Sequence, residues 1–245
     1  MKTLIFLLVL FIFLPSIKCV LMQTGVGIKN IDFTDFKITE NNLNLGVARN
    51  VISCSARCLE TLQCLSFSYN QKTSMCEMWD EDFIHINATD GSTDVGWIYY
   101  YILRDAECGI TKENCLSHSG FVYTTCFCYR LTSTKLFYQN ALDMCASYTS
   151  SLAKVNRGFF QLTLENILAQ IVDDEVRIQG DRASSATSIW RFKNGDLMNY
   201  FNWNTNDNQP DLGPTELSLV IRKSKGYRWH DALIEEAFGA MCQIY

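Results

Sequence analysis

The amino-acid sequence predicts a secreted, disulfide-rich α+β protein made of two small domains. Three observations support this prediction. The chain of 245 residues contains eleven cysteines, more than reduced cytosolic proteins usually carry. These cysteines fall largely into two groups that meet near residues 104–107. In both groups helical hydrophobic patterns are followed by short strand patterns with turns between them, which is typical of an α+β fold.

The N-terminus (residues 1–19) is predicted to be a signal peptide. Residues 4–14 form an unbroken apolar run that ends at Pro15. The run is shorter than the roughly 20 residues of a membrane-spanning helix, and it matches the hydrophobic region of a secretory leader. A buried N-terminal helix is the alternative interpretation. Cleavage after Cys19 would leave ten cysteines, an even number, whereas cleavage after Ser16 would retain Cys19. We expect an extracellular protein with no membrane span after cleavage.

Charge and composition exclude other classes of protein. The formal net charge is −5, and no cluster of lysines and arginines is present, so nucleic acid is not an expected partner. Hydrophobic residues make up 48% of the chain and there are three prolines, which indicates a globular rather than a disordered protein. An N-glycosylation sequon begins at Asn87, as in many secreted glycoproteins.

The first cysteine group has the spacing Cys54-x3-Cys58-x5-Cys64-x11-Cys76. Cys54 and Cys58 lie four residues apart, which places both thiols on one face of a short helix, and Leu62 continues that face. Strand patterns follow at residues 65–69, 74–78 and 95–103, with a turn at 70–73. The expected domain is one helix cross-linked onto a small antiparallel sheet.

A zinc site is the main alternative for four close cysteines. Zinc favours pairs of cysteines separated by two to four residues, and the longer gaps here favour disulfides. The arrangement resembles the PAN/apple family, and we place this domain at residues 20–107. The resemblance implies the pairs Cys54–Cys76 and Cys58–Cys64. It also implies a module that binds proteins or carbohydrates, although no motif here selects a ligand.

Two helices are predicted at the start of the second domain, residues 108–245. In the first, Phe137, Ala141, Cys145 and Tyr148 share a face, with Ser133 or Thr134 as the N-cap. The second has a stripe of five apolar residues and Asn156 as a candidate cap. The stripe consists of Phe160, Leu164, Ile167, Leu168 and Ile171.

Short strands are predicted after the acidic stretch 173–175, which we interpret as a solvated loop. Asn194-Gly195 is the strongest short hairpin signal, and it lies between Trp190-Arg191-Phe192 and Leu197. Further strand patterns occur at residues 217–221, 226–229 and 240–245.

The order of motifs in this domain resembles the C-type lectin domain. The motifs are Cys128-Tyr129-Arg130-Leu131, the helix with Cys145, Trp190…Gly195, Phe201-Asn202-Trp203, Gln209-Pro210-Asp211, Glu216, Trp229-His230-Asp231 and Cys242. The resemblance implies a fold of two helices, short antiparallel strands and a long loop region. It also implies a disulfide between Cys145 and Cys242.

The second disulfide of that family is missing from this sequence. Its two positions hold Ser218 and Ile234, so the whole bridge is absent rather than one thiol. We expect the unbridged loop to be more mobile, because disulfides restrict alternative conformations.

Four further cysteines lie before the first of these helices. Cys115 and Cys126 have the spacing of the N-terminal bridge of long C-type lectin domains, which leaves Cys108 to pair with Cys128. If cleavage spares Cys19, a Cys19–Cys108 bridge becomes the alternative.

Gln209-Pro210-Asp211 resembles the tripeptide that coordinates calcium and favours galactose-type sugars in sugar-binding members of the family, where the proline bond is cis. Ca²⁺ prefers six to eight oxygen ligands. The resemblance makes Gln209, Asp211, Glu216 and Asp231 the candidate ligands, and the same oxygens can accept hydrogen bonds from sugar hydroxyls. With His230 they form the predicted carbohydrate site.

His230 departs from the family pattern, which has asparagine at that position. An imidazole offers nitrogen, which suits zinc or copper better than calcium. Two interpretations therefore stay open: a calcium site built on the carboxylates, or a polar turn in a domain that has lost its metal. Trp203 and Trp229 are predicted to be core residues.

The predicted function is binding rather than catalysis. The first hypothesis is a secreted lectin-like protein that binds glycans or glycoproteins with weak or degenerate calcium dependence. The alternative is a calcium-independent module that binds other extracellular proteins and no sugar. An enzyme is not expected, because the sequence lacks the motifs of zinc proteases, serine hydrolases and phosphate-binding loops.

Overall fold

The computed structural model describes residues 25–87, 89–184 and 187–245. The predicted signal peptide, Cys19 and Ala88 of the sequon lie outside the described residues. Within the described part the chain folds into helices and mostly antiparallel sheets, which confirms the predicted α+β class.

The N-terminal part is built on a five-stranded antiparallel sheet. The described strands of this part are β1 (Gly25–Asn30), β2 (Phe36–Ile38), β3 (Asn44–Val47), β4 (Ser66–Asn70), β5 (Met75–Trp79), β6 (Gly91–Thr93) and β7 (Trp97–Arg104). The helix of this part is α1 (Val51–Glu60). The sheet order is β1-β7-β4-β5-β3, and β2 pairs with β6 separately. The three strands predicted from the sequence are present as β4, β5 and β7.

Helix α1 begins with a reciprocal cap. The Asn50 side chain accepts from the Ser53 backbone N–H, and the Ser53 hydroxyl accepts from the Asn50 N–H, which satisfies two donors at the helix start. Cys54 and Cys58 are buried as predicted. The prediction for Leu62 was wrong, because the helix ends at Glu60 and the Leu62 side chain is 75% exposed.

The C-terminal part carries the remaining elements. They are α2 (Asp105–Cys108), α3 (Lys112–Ser117), β8 (Val122–Thr124), β9 (Phe127–Leu131), α4 (Tyr138–Ser147), β10 (Ser151–Leu152), α5 (Gly158–Leu168), β11 (Glu175–Arg182), β12 (Trp190–Arg191), β13 (Glu216–Arg222), β14 (Arg228–Leu233) and β15 (Gly239–Ile244). Their sheet has the order β14-β13-β11-β15-β9-β8, with β10 on β15 and β12 on β11. The β11–β15 pair is parallel.

Helix α4 is shorter at its start than predicted. It begins at Tyr138 without a side-chain cap, so neither Ser133 nor Thr134 has the predicted role. Ala141 and Cys145 are buried, whereas Phe137 precedes the helix and is 52% exposed.

Helix α5 takes its cap from the other part of the chain. Its predicted stripe is buried up to Leu168, where the helix ends. Asn156 does not cap it. Instead the N-cap position is Arg157, and the Phe159 backbone N–H donates to a carboxylate oxygen of Asp82 at 2.9 Å. This partner could not be inferred from local sequence, because it is 77 positions away.

Five disulfides cross-link the described residues. Three are the pairs that the family resemblances implied: Cys54–Cys76, Cys58–Cys64 and Cys145–Cys242. The other two correct the prediction of Cys115–Cys126 and Cys108–Cys128. The structure has Cys108–Cys126 and Cys115–Cys128, and the first of these also rules out a Cys19–Cys108 bridge in this structure.

The correction follows from the β8–β9 hairpin. Cys128 lies in β9 and is buried in one apolar cluster with Cys115 of α3. Cys126 lies in the hairpin turn, with a φ of 55°, and is only partly buried near Cys108 of α2. Spacing along the chain does not reveal which thiol faces which helix.

The two parts of the chain pack on one continuous hydrophobic core. Tyr99 and Tyr101 of β7 belong to it together with Phe159 and Phe160 of α5, and the Tyr101 and Phe159 rings lie 5.4 Å apart in an edge-on arrangement. The predicted boundary at residue 107/108 therefore does not separate two independent cores.

A buried arginine crosses the same junction. Arg157, 4% exposed, donates to both carboxylate oxygens of Asp82 and to Glu107 at 2.7 Å each. It also donates to the carbonyls of Ile102 (2.9 Å) and Leu65 (2.8 Å). All five N–H groups of the guanidinium are thus paired with the N-terminal part or with the junction.

Candidate functional site

Three carboxylates meet where the long loop reaches the C-terminal sheet. Asp211 lies in the loop, Glu216 begins β13 and Asp231 lies in β14. One oxygen from each carboxylate lies within 4.8 Å of the others. Three of the four predicted calcium ligands therefore come together.

Hydrogen bonds join the loop to β14. The Gln209–Pro210 peptide bond is cis. The Gln209 side-chain oxygen accepts from the Asp231 backbone N–H at 3.1 Å. In return the Asp231 carboxylate accepts from the backbone N–H groups of Asp211 (3.2 Å) and Leu212 (2.9 Å). Gln209, the fourth predicted ligand, is thus directly beside the carboxylates.

Arg182, at the end of β11, fixes the far side of the loop. Its side chain is buried, and its guanidinium donates to the carbonyls of Gly213 (2.5 Å) and Glu216 (3.1 Å). Nothing in the sequence pattern indicates a role for Arg182. Its role depends on loop carbonyls more than 30 positions away, and no local pattern indicates such contacts.

The carboxylates repel one another, and their pKa values reflect this. The hydrogen bond to Asp211, burial, and the charges of Asp211 and Asp231 raise the pKa of Glu216 to about 7. The same hydrogen bond lowers the pKa of Asp211, and burial raises the pKa of Asp231. Near neutral pH the cluster therefore binds a proton readily, and a cation could take the place of that proton.

His230 does not join this group of ligand atoms. Its side chain is buried, with one ring nitrogen 3.1 Å from the Asn204 amide nitrogen and the other 3.3 Å from a guanidinium nitrogen of Arg222. Burial and the charge of Arg222 lower the pKa of His230 to about 4. Both ring nitrogens are thus in contact with Asn204 and Arg222, and the role of His230 in a carbohydrate site stays a prediction.

Arg177 lies beside Ser218, one of the two positions at which the C-type lectin family has the cysteines of its second disulfide. Its buried guanidinium donates to the Ser218 hydroxyl, to the Leu233 carbonyl at 2.8 Å and to the Glu236 carbonyl at 2.5 Å. Ser218 in turn donates to the Ala232 carbonyl at 3.0 Å. The segments that a disulfide would join are therefore held by hydrogen bonds, at the cost of burying a cation whose pKa falls to about 10.

The two tryptophans of the motif differ in exposure. Trp229 is fully buried, as predicted. Trp203 is only partly buried and stacks on the partly exposed Phe201 ring, with ring centres 5.5 Å apart. The prediction that Trp203 is a core residue was therefore only partly right.

Comparison with known proteins identifies the N-terminal part. The family model described as the PAN domain matches residues 30–101. Residues 30–101 are a PAN domain. The match covers most of the described strands of this part and all of α1, so the predicted resemblance is confirmed there. No curated protein matches the chain.

Solved structures that are similar to about half of this chain include two that are described as C-type lectins. One is the carbohydrate-recognition domain of the mouse scavenger receptor C-type lectin, at 21% identity and a TM-score of 0.45, covering 51% of this chain and 94% of that one. Another is the C-type lectin CEL-I from Cucumaria echinata, at 21% identity and 0.46, covering 52% and 96%. Human lithostathine has 18% identity and 0.46, covering 51% and 97%. Similarity at this level does not identify a ligand.

Among the described helices, in both the PAN domain and the part that follows it, none is long and apolar enough to cross a membrane.

The raised pKa of Glu216 makes the metal-free protein less stable at higher pH. The pKa of Glu216 in the folded protein, about 7, exceeds the ordinary value of 4.5. The stabilisation that this carboxyl group gives the folded state is therefore fully present below pH 4.5 and is lost as the pH rises through 7. We expect Glu216→Gln to remove this part of the pH dependence. In chelator, the melting temperature of the wild type should fall relative to that of the variant between pH 5 and pH 8, a range chosen to bracket the titration at about 7.

The matched control is Glu235→Gln, because Glu235 is an exposed glutamate of the same part of the chain. Its melting temperature should follow the wild type at every pH. A constant difference between the wild type and Glu216→Gln across this range would contradict the prediction.

Proposed function

We propose that the protein is a secreted, lectin-like recognition protein that binds carbohydrate through the loop between Gln209 and Asp231, with weak dependence on calcium. The observation that carries this proposal is the convergence of Asp211, Glu216 and Asp231, whose carboxylates lie within 4.8 Å of one another. Sugar hydroxyls would be recognised by the same oxygens, and Gln209-Pro210-Asp211 favours galactose-type sugars.

The donor set fits a calcium ion in part. Ca²⁺ prefers carboxylate and amide oxygens, which Asp211, Glu216, Asp231 and Gln209 provide. The mutual repulsion that raises the pKa of Glu216 to about 7 would be relieved by a divalent cation. Against this, the Gln209 oxygen and both Asp231 oxygens already accept backbone hydrogen bonds, and His230 offers no oxygen. We therefore expect weak binding. When bound, the ion would add a positive centre that holds sugar hydroxyls beside these residues.

Extracellular location is part of the same proposal. The five disulfides indicate an oxidising compartment. Residues 1–19 would be removed as a signal peptide, and residues 20–107 and 108–245 would form the two domains. Asn87 is exposed in the structure, which suits the attachment of a glycan. The protein would act as a binding protein, not as an enzyme.

The alternative function is calcium-independent binding of an extracellular protein without any sugar. It is favoured by His230, which offers no oxygen and whose ring contacts Asn204 and Arg222, and by the absence of the second disulfide. In this case the carboxylate cluster would be an ordinary polar turn held by Arg182 and Gln209.

Thermal melting with calcium or with chelator, together with retention on a galactose resin, tests the proposal. Calcium is expected to raise the melting temperature and to increase retention. Glu216→Ala should abolish both effects, because it removes one of three carboxylates, whereas Glu235→Ala should leave them intact. If calcium changes neither the melting temperature nor retention, the calcium-dependent proposal is wrong and the alternative is favoured.

A further inference from the structure

A cleft lies between the PAN domain and the C-terminal part, on residues that the carboxylate cluster does not use. Its volume is about 540 Å³, within the usual range for small-molecule sites, which often form at domain interfaces. One wall is the end of β1 and the turn that follows it. The other is formed by α5 and by the β8–β9 hairpin.

The walls of the cleft are held in a fixed arrangement. Arg157, at the start of α5, makes five hydrogen bonds across the junction. Gly158 lets the two parts approach closely, because a Cβ atom there would lie 2.7 Å from the Asp82 Cβ and 2.9 Å from its carbonyl oxygen. A ligand would therefore not have to order the two domains, which reduces the entropic cost of binding.

The floor of the cleft is apolar. Its accessible surface comes from Ile28 and Leu162, both partly buried, and from Ile31, which is 74% exposed. Behind them lie Phe159, Ile167 and Tyr101, all less than 9% exposed. The Tyr101 hydroxyl already accepts from the Asn30 amide and donates to the Phe83 carbonyl, both at 2.8 Å. The floor therefore offers aliphatic surface rather than hydrogen bonds.

The rim offers hydrogen-bonding groups that are mostly uncharged. Tyr129, Thr125 and Asn166 line it, and among the described residues their side chains have no hydrogen-bond partner. The charged lining residues are Lys29 and Asp32, of opposite sign, so the cleft selects neither anions nor cations.

We propose that this cleft binds a neutral saccharide without a metal ion. A sugar ring combines an apolar C–H face, which matches the aliphatic floor and the partly exposed Tyr129 ring, with hydroxyls, which match the uncharged groups of the rim. The site is independent of the calcium-dependent function proposed above, because Asp211, Glu216 and Asp231 are not among its lining residues.

A glycan array probed in the presence of chelator tests this inference. A set of neutral glycans should be retained by the wild type and by Glu216→Ala. Asn166→Ala should weaken that binding about threefold to tenfold, as expected for one lost hydrogen bond, and Tyr129→Ala should abolish it. Asn140→Ala is the matched control, because Asn140 is an exposed helical asparagine away from the cleft.

Because Tyr129 is partly buried, the exposed Asn166 variant keeps the test valid if Tyr129→Ala fails to fold. Retention in chelator that Asn166→Ala leaves unchanged would overturn the inference, as would the absence of any neutral glycan retained in chelator. Binding seen only with calcium, and lost in Glu216→Ala, would overturn this inference while supporting the proposed function. No binding under either condition would contradict both.

Discussion

Replacing Arg157 with methionine is expected to lower the free energy of unfolding by about 3–5 kcal/mol, the usual cost of removing one partner from a buried ion pair. The Asp82 side chain has no exposed surface, and in the variant it would remain buried without its cation. The carbonyls of Ile102 and Leu65 would lose a donor as well. Urea denaturation followed by tryptophan fluorescence measures the loss.

Arg157→Met should also change the number of unfolding transitions. Arg157 and Asp82 lie on opposite sides of the domain junction, and Asp82 also accepts from the backbone N–H of Phe159 at the start of α5. In the variant we expect the PAN domain and the C-terminal part to unfold in separate transitions, instead of the single transition expected when they share one core.

A double variant provides the control. Combining Arg157→Met with Asp82→Leu removes both charges, and apolar replacement of a buried pair is often close to neutral. The double variant should therefore recover part of the lost stability, while the Phe159 N–H and the carbonyls of Ile102 and Leu65 stay without their partners. A loss below about 1 kcal/mol in Arg157→Met, typical of exposed ion pairs, would contradict the interpretation of this contact as a buried clamp.

Removal of the Cys145–Cys242 disulfide is expected to cost about 4–5 kcal/mol, because it closes a loop of 97 residues and constrains the unfolded chain strongly. The bond ties α4 to β15, and both cysteines are buried. The variant to be made is Cys145→Ala with Cys242→Ala, with urea denaturation as the measurement.

The Cys58–Cys64 disulfide is the matched control. Its cysteines are equally buried, but they are only six positions apart, so the same entropic relation gives about 2 kcal/mol for its removal. Equal losses for the two disulfides, or a larger loss for Cys58–Cys64, would contradict the argument from loop length.

Much of the fold was predictable because its signals are local. The four-residue spacing of Cys54 and Cys58 predicts α1, and the strand patterns at residues 65–69, 74–78 and 95–103 predict β4, β5 and β7. The strands β1, β2, β3 and β6 were not predicted. Their sequences are short and partly polar, and they become strands only because they pair with neighbours that local patterns do not reveal.

The candidate site was predictable in composition but not in arrangement. Gln209, Asp211, Glu216 and Asp231 were identified from a family-like motif, and the structure brings them together. The orientation of His230 and the roles of Arg177 and Arg182 were missed. These three side chains are placed by contacts with distant strands and loops, which leave no periodic signal in the sequence.

The sequence by itself determined the α+β class and the set of cysteines available for disulfides, and it supplied the candidate calcium ligands, because composition, spacing and motif order are properties of the chain alone. Only the tertiary structure decided that Cys108 pairs with Cys126 and Cys115 with Cys128. It also decided that the His230 ring contacts Asn204 and Arg222 and that the two parts of the chain share a core crossed by Arg157. These features depend on which groups meet in space, and that is set by the packing of elements distant in sequence.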